Sequence, residues 1–404
     1  MYDMESVSTE VKEQKTNGKE KQNRNIEKLP SGLKDKYGRL LSLDFFRGFT
    51  MFMLMGEALW GTFGNDYFNG TIIASLHTQL SHHPWHGLHF WDLIQPFFMF
   101  IVGVAMPISF GKRWARGDSW MKTFKHASKR SLTLLALGVG LYCIHNTGGP
   151  HAGEGHLSFE LWDVLAQLAF TYMIAFLIMR KSWRFQFSVS VGLLILTELL
   201  YRLWPVAGFT QPFTPDHNFG AWLDLVVTGY LSGGHWVAAN LIPTAAHTIW
   251  GVMAGQLLIS GKETKKKIQI LAAAGVIGLI VGYGLDPLTP IIKRIATTSF
   301  TVVSGGWCLL ALMVSFWAVD VKKYQINAAR FFAVVGMNPI FIYMFMETGG
   351  RSWFDRIIAV FTQGFLGLIS IPLPVISIIT AAIGLAAMWY MLYFLYKNKI
   401  FISI

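Results

Sequence analysis

Charge is scarce in this 404-residue chain: Asp, Glu, Lys and Arg together make up 14%, against roughly a quarter in an ordinary soluble domain. What charge there is gathers at the start, where residues 1–40 hold nine Lys or Arg and seven Asp or Glu. With 53% of the residues apolar, the remainder lacks the polar surface a soluble fold needs, and that class is excluded. Cysteine is nearly absent. Cys143 and Cys308 both lie in apolar runs, which excludes a disulfide framework or a thiolate zinc site. No apolar stretch follows Met1, so a cleavable signal peptide is not expected. The formal charge of +11 comes with no RNA or DNA motif, and surplus Lys and Arg in a membrane chain sets its orientation instead. No nucleic-acid partner is expected.

What is present is long apolar sequence. Runs such as Ser131 to Ile144 and Phe185 to Leu200 are apolar all round, unlike the alternating ten-residue segments of an outer-membrane barrel. Each is close to the ~20 residues that cross a bilayer as a helix. The predicted fold class is therefore all-α, a polytopic helical integral membrane protein with the lipid bilayer as its partner. Spans are predicted near 42–63, 89–110, 127–146, 161–179, 185–204, 236–259, 268–285, 299–319, 329–348 and 376–396. That makes ten. The stretch 349–375, interrupted by Gln363, Gly364 and Gly367, is either an eleventh span or a re-entrant or interfacial piece. Residues 1–38 have little to bury and are expected to be a disordered arm, leaving 39–404 as the transmembrane domain.

Lys and Arg in short loops favour the cytoplasmic side. The arm, the loop from Lys112 to Arg130, the Arg180 to Arg184 loop, the Lys262 to Lys267 cluster, the pair Lys322 and Lys323, and the tail with Lys397 and Lys399 alternate as ten spans require. Both termini are then cytoplasmic. The outer loops 64–88 and 147–160 contain no Lys or Arg, and only Arg202, Lys293, Arg294, Arg351 and Arg356 fall on the outer side. Histidine does the reverse: of 12, all but two lie at or near the outer face, including His77, His82, His83, His86, His89, His145, His151, His156, His217 and His235.

The densest chemistry runs from Ser81 to Asp92, with His82, His83, Pro84, Trp85, His86, Gly87, His89 and Trp91. Pro84 and Gly87 fix a turn, and the tryptophans suit the membrane interface. Such a loop can hold an imidazole rigidly at the rim, where it works near neutral pH as a general base or a nucleophile. An Asp accepting its second N–H would fix the tautomer, and Asp92 is the candidate. A bland reading stands beside this one: Asp suits a first helical turn for the dipole alone, and outer-loop histidines are often only solvated. His82 with His86, and His86 with His89, have spacings usable by a metal on a helix. Pro84 and Gly87 oppose a helix there, so no metal is expected.

Other polar groups are placed more sparsely. Asp44 and Arg47 can pair on one helix face, as a structural ion pair or as part of an anion site with Lys112 and Arg113. Glu57 is costly inside a span unless it faces a polar cavity. Asn338 precedes Pro339, where a helix hydrogen bond is lost, and broken helices of this kind line cavities in transporters and membrane enzymes. Gln95, Asp163 with Gln167, and Asn240 with His247 are helix–helix contacts or additions to such a cavity. Lys293 and Arg294 run against the charge trend, either steering an anionic group or capping the outer edge of a span.

Taken in order, Leu41-Ser42-Leu43-Asp44-Phe45-Phe46-Arg47-Gly48, His82-His83-Pro84-Trp85-His86-Gly87-Leu88, Asp92-Leu93-Ile94-Gln95-Pro96-Phe97-Phe98, Gly251-Val252-Met253-Ala254-Gly255, Ser304-Gly305-Gly306-Trp307, Gly336-Met337-Asn338-Pro339-Ile340 and Leu395-Tyr396-Lys397-Asn398-Lys399-Ile400-Phe401 resemble the heparan-α-glucosaminide N-acetyltransferase family. The resemblance implies a membrane enzyme that takes acetyl-CoA from the cytoplasm and acetylates a glucosamine amine on the far side. For a bacterial member it implies the inner membrane and a periplasmic amino-sugar acceptor. The family's His three residues before the Trp is here His82, and its Asp ten residues further on is Asp92. His82 is thus the implied catalytic residue, as base or acetyl carrier, with His83 able to exchange roles with it. His86 departs from the pattern, standing where the lysosomal member has Asn. A counterpart of that member's luminal domain and extra first span is not expected from these residues. If acetyl-CoA is the donor, Arg47, Lys112 and Arg113 are placed to anchor its phosphates and Asn338 to line the pantetheine or acetyl region, while Lys293, against the charge trend, is expected to steer the anion. A homodimer is left open. Two competing readings remain, transport of an amino sugar or organic anion and O-acylation of an envelope glycan.

Overall fold

The computed structural model describes residues 40–145, 161–324 and 326–402. The arm 1–38 and the histidines His151 and His156 lie outside the described residues, as does the side chain of His145. Helix accounts for 75% of the described residues, and no strand occurs among them.

Among the described residues, fifteen α-helices follow one another: α1 Leu41–Met55, α2 Glu57–Thr62, α3 Ile72–Gln79, α4 Ile94–Ala115, α5 Trp120–His145, α6 Val164–Ile178, α7 Trp183–Leu203, α8 Phe219–Val227, α9 Leu241–Ile259, α10 Thr264–Leu285, α11 Thr298–Ser315, α12 Ile326–Gly336, α13 Pro339–Glu347, α14 Gly350–Leu368 and α15 Leu373–Lys397. A π-helical turn, Phe316–Val321, continues α11. Each of the ten expected spans overlaps a helix or a helix pair. By length and apolarity five of these can cross a membrane: Phe90–Ala115, Trp183–Leu203, Thr264–Leu285, Thr298–Val321 and Leu373–Lys397. The pair Asn327–Gly336 and Pro339–Glu347, bent by 62°, is a broken span or a re-entrant loop, and makes a sixth crossing only if taken as one span. Pro339 occupies the first position of α13, where its missing N–H costs nothing, and the bend falls on Met337 and Asn338.

Two boundaries differ from expectation for a physical reason. α5 begins at Trp120 and α10 at Thr264, each several residues early, because Lys and Arg are good helix formers. Their first turns carry basic residues out of the apolar zone. At α5 the Lys122 N–H is taken by the Ser119 hydroxyl, 3.2 Å away. The ambiguous stretch 349–375 is largely helix: α14 starts after Gly349, whose φ of +88° turns the chain sharply from α13. Val360, Phe361, Phe365 and Leu368 of α14 are exposed, an apolar surface that suits lipid.

The core joins Leu43 and Phe46 of α1, Phe97 and Phe100 of α4, Ala254 and Leu258 of α9, and Leu312 of α11. Glycine sets how closely these helices approach. A Cβ on Gly251 would lie 2.1 Å from the Phe100 carbonyl oxygen, and one on Gly103 would lie 2.1 Å from that of Thr248. Small residues let two backbones meet in this way within a membrane. At the crossing of α1 with α12, a Cβ on Gly336 would lie 2.5 Å from the Asp44 carbonyl oxygen. The sequences around Gly251 and Gly336 that carried the family resemblance thus form close helix crossings. Arg202 bonds Glu198 of its own helix and the Leu288 carbonyl, while Arg351 bonds Asp355 of its own helix and the Met55 carbonyl.

Candidate active site

The histidine loop is non-helical over residues 81–89, as Pro84 and Gly87 require. Gly87 adopts a φ of +148°, and a Cβ there would meet the His83 ring at 2.4 Å. Its N–H donates to the Ile291 carbonyl at 2.8 Å. His86 Nε2 meets Asp286 Oδ1 at 2.8 Å. The histidine loop is in this way laid along the loop that links α10 to α11, some 200 residues later in the chain.

That docking places three side chains together. Asp92 sits in the short turn Phe90–Leu93 that leads into α4 and is 1% exposed. Its Oδ2 accepts the backbone N–H groups of His89, at 2.9 Å, and of His83, at 3.2 Å. Its Oδ1 meets His82 Nδ1 at 2.9 Å. Lys293, 7% exposed, brings Nζ to 3.1 Å from the same His82 nitrogen and 3.7 Å from Asp92 Oδ1. The Trp236 ring closes the group, 5.3 Å from the His82 ring and 5.1 Å from Lys293 Nζ. His82 keeps 36% of its side chain exposed. Its Nε2 is the ring nitrogen turned away from the carboxylate.

Burial first, and then the neighbouring Lys293 charge, hold His82 below its ordinary pKa, so the ring is neutral near pH 7. Burial also pushes Lys293 down to about 8, against the pull of Asp92. A neutral imidazole with a carboxylate at Nδ1 and an accessible Nε2 can remove a proton or attack an electrophile. His83 gives Asp92 only its backbone N–H; its ring packs on His89, with centroids 4.7 Å apart.

At the other end of α4 lies a cavity of about 550 Å³. Arg47, Lys112, Arg113, Arg116 and Arg130 line it together with apolar walls such as Phe98, Ile101 and Ile340. Arg113 reaches His126 Nε2 at 3.0 Å, and the Arg130 guanidinium lies 5.2 Å from the Tyr172 ring centre. Helical rise puts Phe98 about 9 Å along α4 from Asp92, and Arg113 about 30 Å from it. The shape suits a ligand with a polyanionic head and an uncharged arm.

The sequence profile of the family described as "Heparan-alpha-glucosaminide N-acetyltransferase, catalytic" matches residues 39–289. The chain belongs to this family. The mouse protein named heparan-alpha-glucosaminide N-acetyltransferase is 24% identical over 382 residues, covering 78% of this chain and 54% of that protein. The human protein of the same name is 23% identical over 370 residues, covering 76% and 52%. The chain thus spans about half the length of the curated relatives it matches. His82, Asp92, Arg47, Lys112 and Arg113 fall inside the family match, whereas Lys293 and Asn338 lie beyond it.

Two candidates stand elsewhere than the sequence reading put them. Lys293, expected to serve the donor, sits with His82 and Asp92. Asn338, expected to line the pantetheine region, is fully buried; its amide donates to the Ile400 carbonyl and accepts from the Ile402 N–H, at 3.0 and 2.7 Å. Asn338 thereby pins the tail, and Phe401 and Ile402 of that tail line the cavity. Sequence reasoning also missed Trp236 as a wall of the histidine site. It took Arg116 and Arg130 only as charges of the loop from Lys112 to Arg130, whereas Arg116 caps the end of α4 and Arg130 lies well inside α5.

Proposed function

We propose that the chain is a transmembrane acetyltransferase that moves the acetyl group of acetyl-CoA to the amine of a glucosamine-type sugar, across the bilayer. The observation that carries the reading is the occupancy of the two ends of α4: a cationic cavity at one, and a neutral imidazole held on a buried carboxylate at the other. The separation of about 30 Å between them is the thickness of a hydrocarbon core. On the positive-inside reading the cationic end faces the cytoplasm, the chain crosses ten or eleven times, and both termini are cytoplasmic, in the inner membrane of a bacterium. The names of the mouse and human relatives support an N-acetyltransferase.

In this scheme Arg47, Lys112, Arg113 and Arg130 neutralise the phosphates of the donor, and the apolar walls carry its uncharged arm toward Phe98. With Lys293 uncharged, His82 donates from Nδ1 to Asp92, so Nε2 is bare. The sugar nitrogen attacks the acetyl carbonyl carbon, the carbon–sulfur bond breaks, and the amine proton passes to Nε2 and on to the departing thiolate. The other route within the same chemistry has Nε2 take the acetyl group first and pass it to the amine. His82, Asp92, Lys293 and Trp236 all come from one chain.

The test is release of CoA thiol from acetyl-CoA by purified protein in detergent, with and without glucosamine. Sugar-dependent release that His82→Ala abolishes and His83→Ala leaves largely intact is the expected result. No release with any amino sugar from the wild type would overturn the proposal in favour of a non-enzymatic role.

A further inference from the structure

Three polar atoms meet where two hydrogens can be placed in only one way at a time. His82 Nδ1 is 2.9 Å from Asp92 Oδ1 and 3.1 Å from Lys293 Nζ, and the third side of the triangle is 3.7 Å. If Nδ1 carries a hydrogen, it donates to Asp92 and the adjoining Lys293 is best placed as a free amine. If Lys293 is an ammonium, it donates to Nδ1, and the imidazole hydrogen must sit on Nε2. The protonation of Lys293 therefore selects the His82 tautomer.

We propose that Lys293 is the terminus of a proton relay through the His82 ring, and so a positioning residue for the transfer proposed above, on which this inference rests. With Lys293 as the free amine, Nε2 is bare and accepts the proton of the attacking sugar nitrogen. The Nδ1 hydrogen then moves 3.1 Å to Lys293 Nζ. The ring is left neutral with its hydrogen on Nε2, and the positive charge rests on an ammonium beside Asp92. When the thiolate of CoA leaves, Nε2 gives it that hydrogen and Lys293 returns its own to Nδ1. The amine has lost one proton, the thiol has gained it, and the triangle is restored.

The surroundings are built for this exchange. The Trp236 ring packs on both His82 and Lys293 and holds the two nitrogens in register. The charged groups facing Lys293 are Asp92 from the turn before α4, Arg294 beside it in the loop, and Glu57 at the start of α2. Asp92 and Glu57 favour the ammonium, while burial and Arg294 oppose it. That balance leaves Lys293 able to change charge at about pH 8. A lysine whose task was only to neutralise Asp92 would be replaceable by arginine.

The experiment compares wild type, Lys293→Met and Lys293→Arg in two readouts from pH 5.5 to 9.5. The first is kcat for sugar-dependent thiol release. The second needs no turnover: the rate at which diethyl pyrocarbonate modifies His82, followed by peptide mass spectrometry, which reports a bare Nε2. The relay predicts that both wild-type readouts rise with pH through about 8. In Lys293→Met that rise disappears, and the remaining His82 limb moves up because a neighbouring cation is gone. In Lys293→Arg, whose guanidinium cannot release its proton, kcat falls on the order of 100-fold with KM nearly unchanged, and His82 modification stays slow at every pH. An active Lys293→Arg enzyme with an unaltered profile would overturn the relay. If the wild type released no thiol yet His82 modification still followed Lys293, the proton coupling would stand and the acetyl-transfer reading would fall.

Discussion

Asp92→Asn removes one oxygen's charge and almost no volume, and its consequences can be followed atom by atom. The carboxylate has four partners: two backbone N–H groups on Oδ2, and His82 Nδ1 and Lys293 Nζ near Oδ1. An asparagine has a single acceptor oxygen, and the two fixed backbone donors claim it. The amide NH2 then points at His82 Nδ1, where it donates, and the imidazole hydrogen is driven onto Nε2. The base is lost through its tautomer. Loss of a positioned base, or of its tautomer, costs on the order of 10² to 10⁴ in rate, so kcat should fall by about a thousandfold. KM for acetyl-CoA should hold, because the donor cavity ends near Phe98, about 9 Å away along α4. Stability should drop by about 3 kcal/mol, since Lys293 is left buried without its carboxylate. The loss is smaller above pH 8, where Lys293 sheds its proton. Thiol release with acetyl-CoA and glucosamine, and thermal unfolding in detergent, measure the two effects. An asparagine variant within about threefold of wild-type kcat would refute the assignment of Asp92 as the group that orients His82.

Three further outcomes follow from the same geometry. Arg130→Met should raise KM for acetyl-CoA about tenfold, from roughly 1.5 kcal/mol for one charge-assisted hydrogen bond, with kcat kept; an unchanged KM would remove Arg130 from the donor site. Asn338→Ala should release the tail from its two hydrogen bonds, seen as faster proteolysis near Phe401 and a changed KM for acetyl-CoA, and a tail as resistant as before would show that the clamp is not what holds it. Gly251→Val should cost about 3 kcal/mol or more, since its Cβ would sit 2.1 Å from the Phe100 carbonyl oxygen; a wild-type melting temperature would contradict the close crossing of α4 and α9.

Much of the helical order was legible because long apolar runs have few alternatives to helix in a bilayer. Boundaries were less so where Lys and Arg extend a helix beyond the apolar zone, as at Trp120 and Thr264. The choice of His82 came from the family resemblance, whereas that Asp92 could hold an imidazole of the same short loop could be read from the sequence. The third partner could not. Lys293 is 211 residues from His82, and sequence marks it only as a cation on the wrong side of the charge pattern. That anomaly pointed to a use without saying for what. Asn338 shows the opposite failure: an amide at a proline break advertises a cavity, yet the structure spends both of its ends on backbone groups at Ile400 and Ile402. Glycines at 251 and 336 carried the family pattern through backbone approach, which one sequence does not distinguish from a ligand contact.

The claim that the two ends of α4 serve two substrates on opposite sides of the bilayer is tested most directly in sealed vesicles holding the protein in one orientation. Acetyl-CoA labelled in the acetyl group is supplied outside, and glucosamine is trapped inside. With the cationic face outward, labelled N-acetylglucosamine should accumulate in the lumen while CoA thiol appears outside, and His82→Ala vesicles should form neither. Product formed only when both substrates share one side would contradict the account.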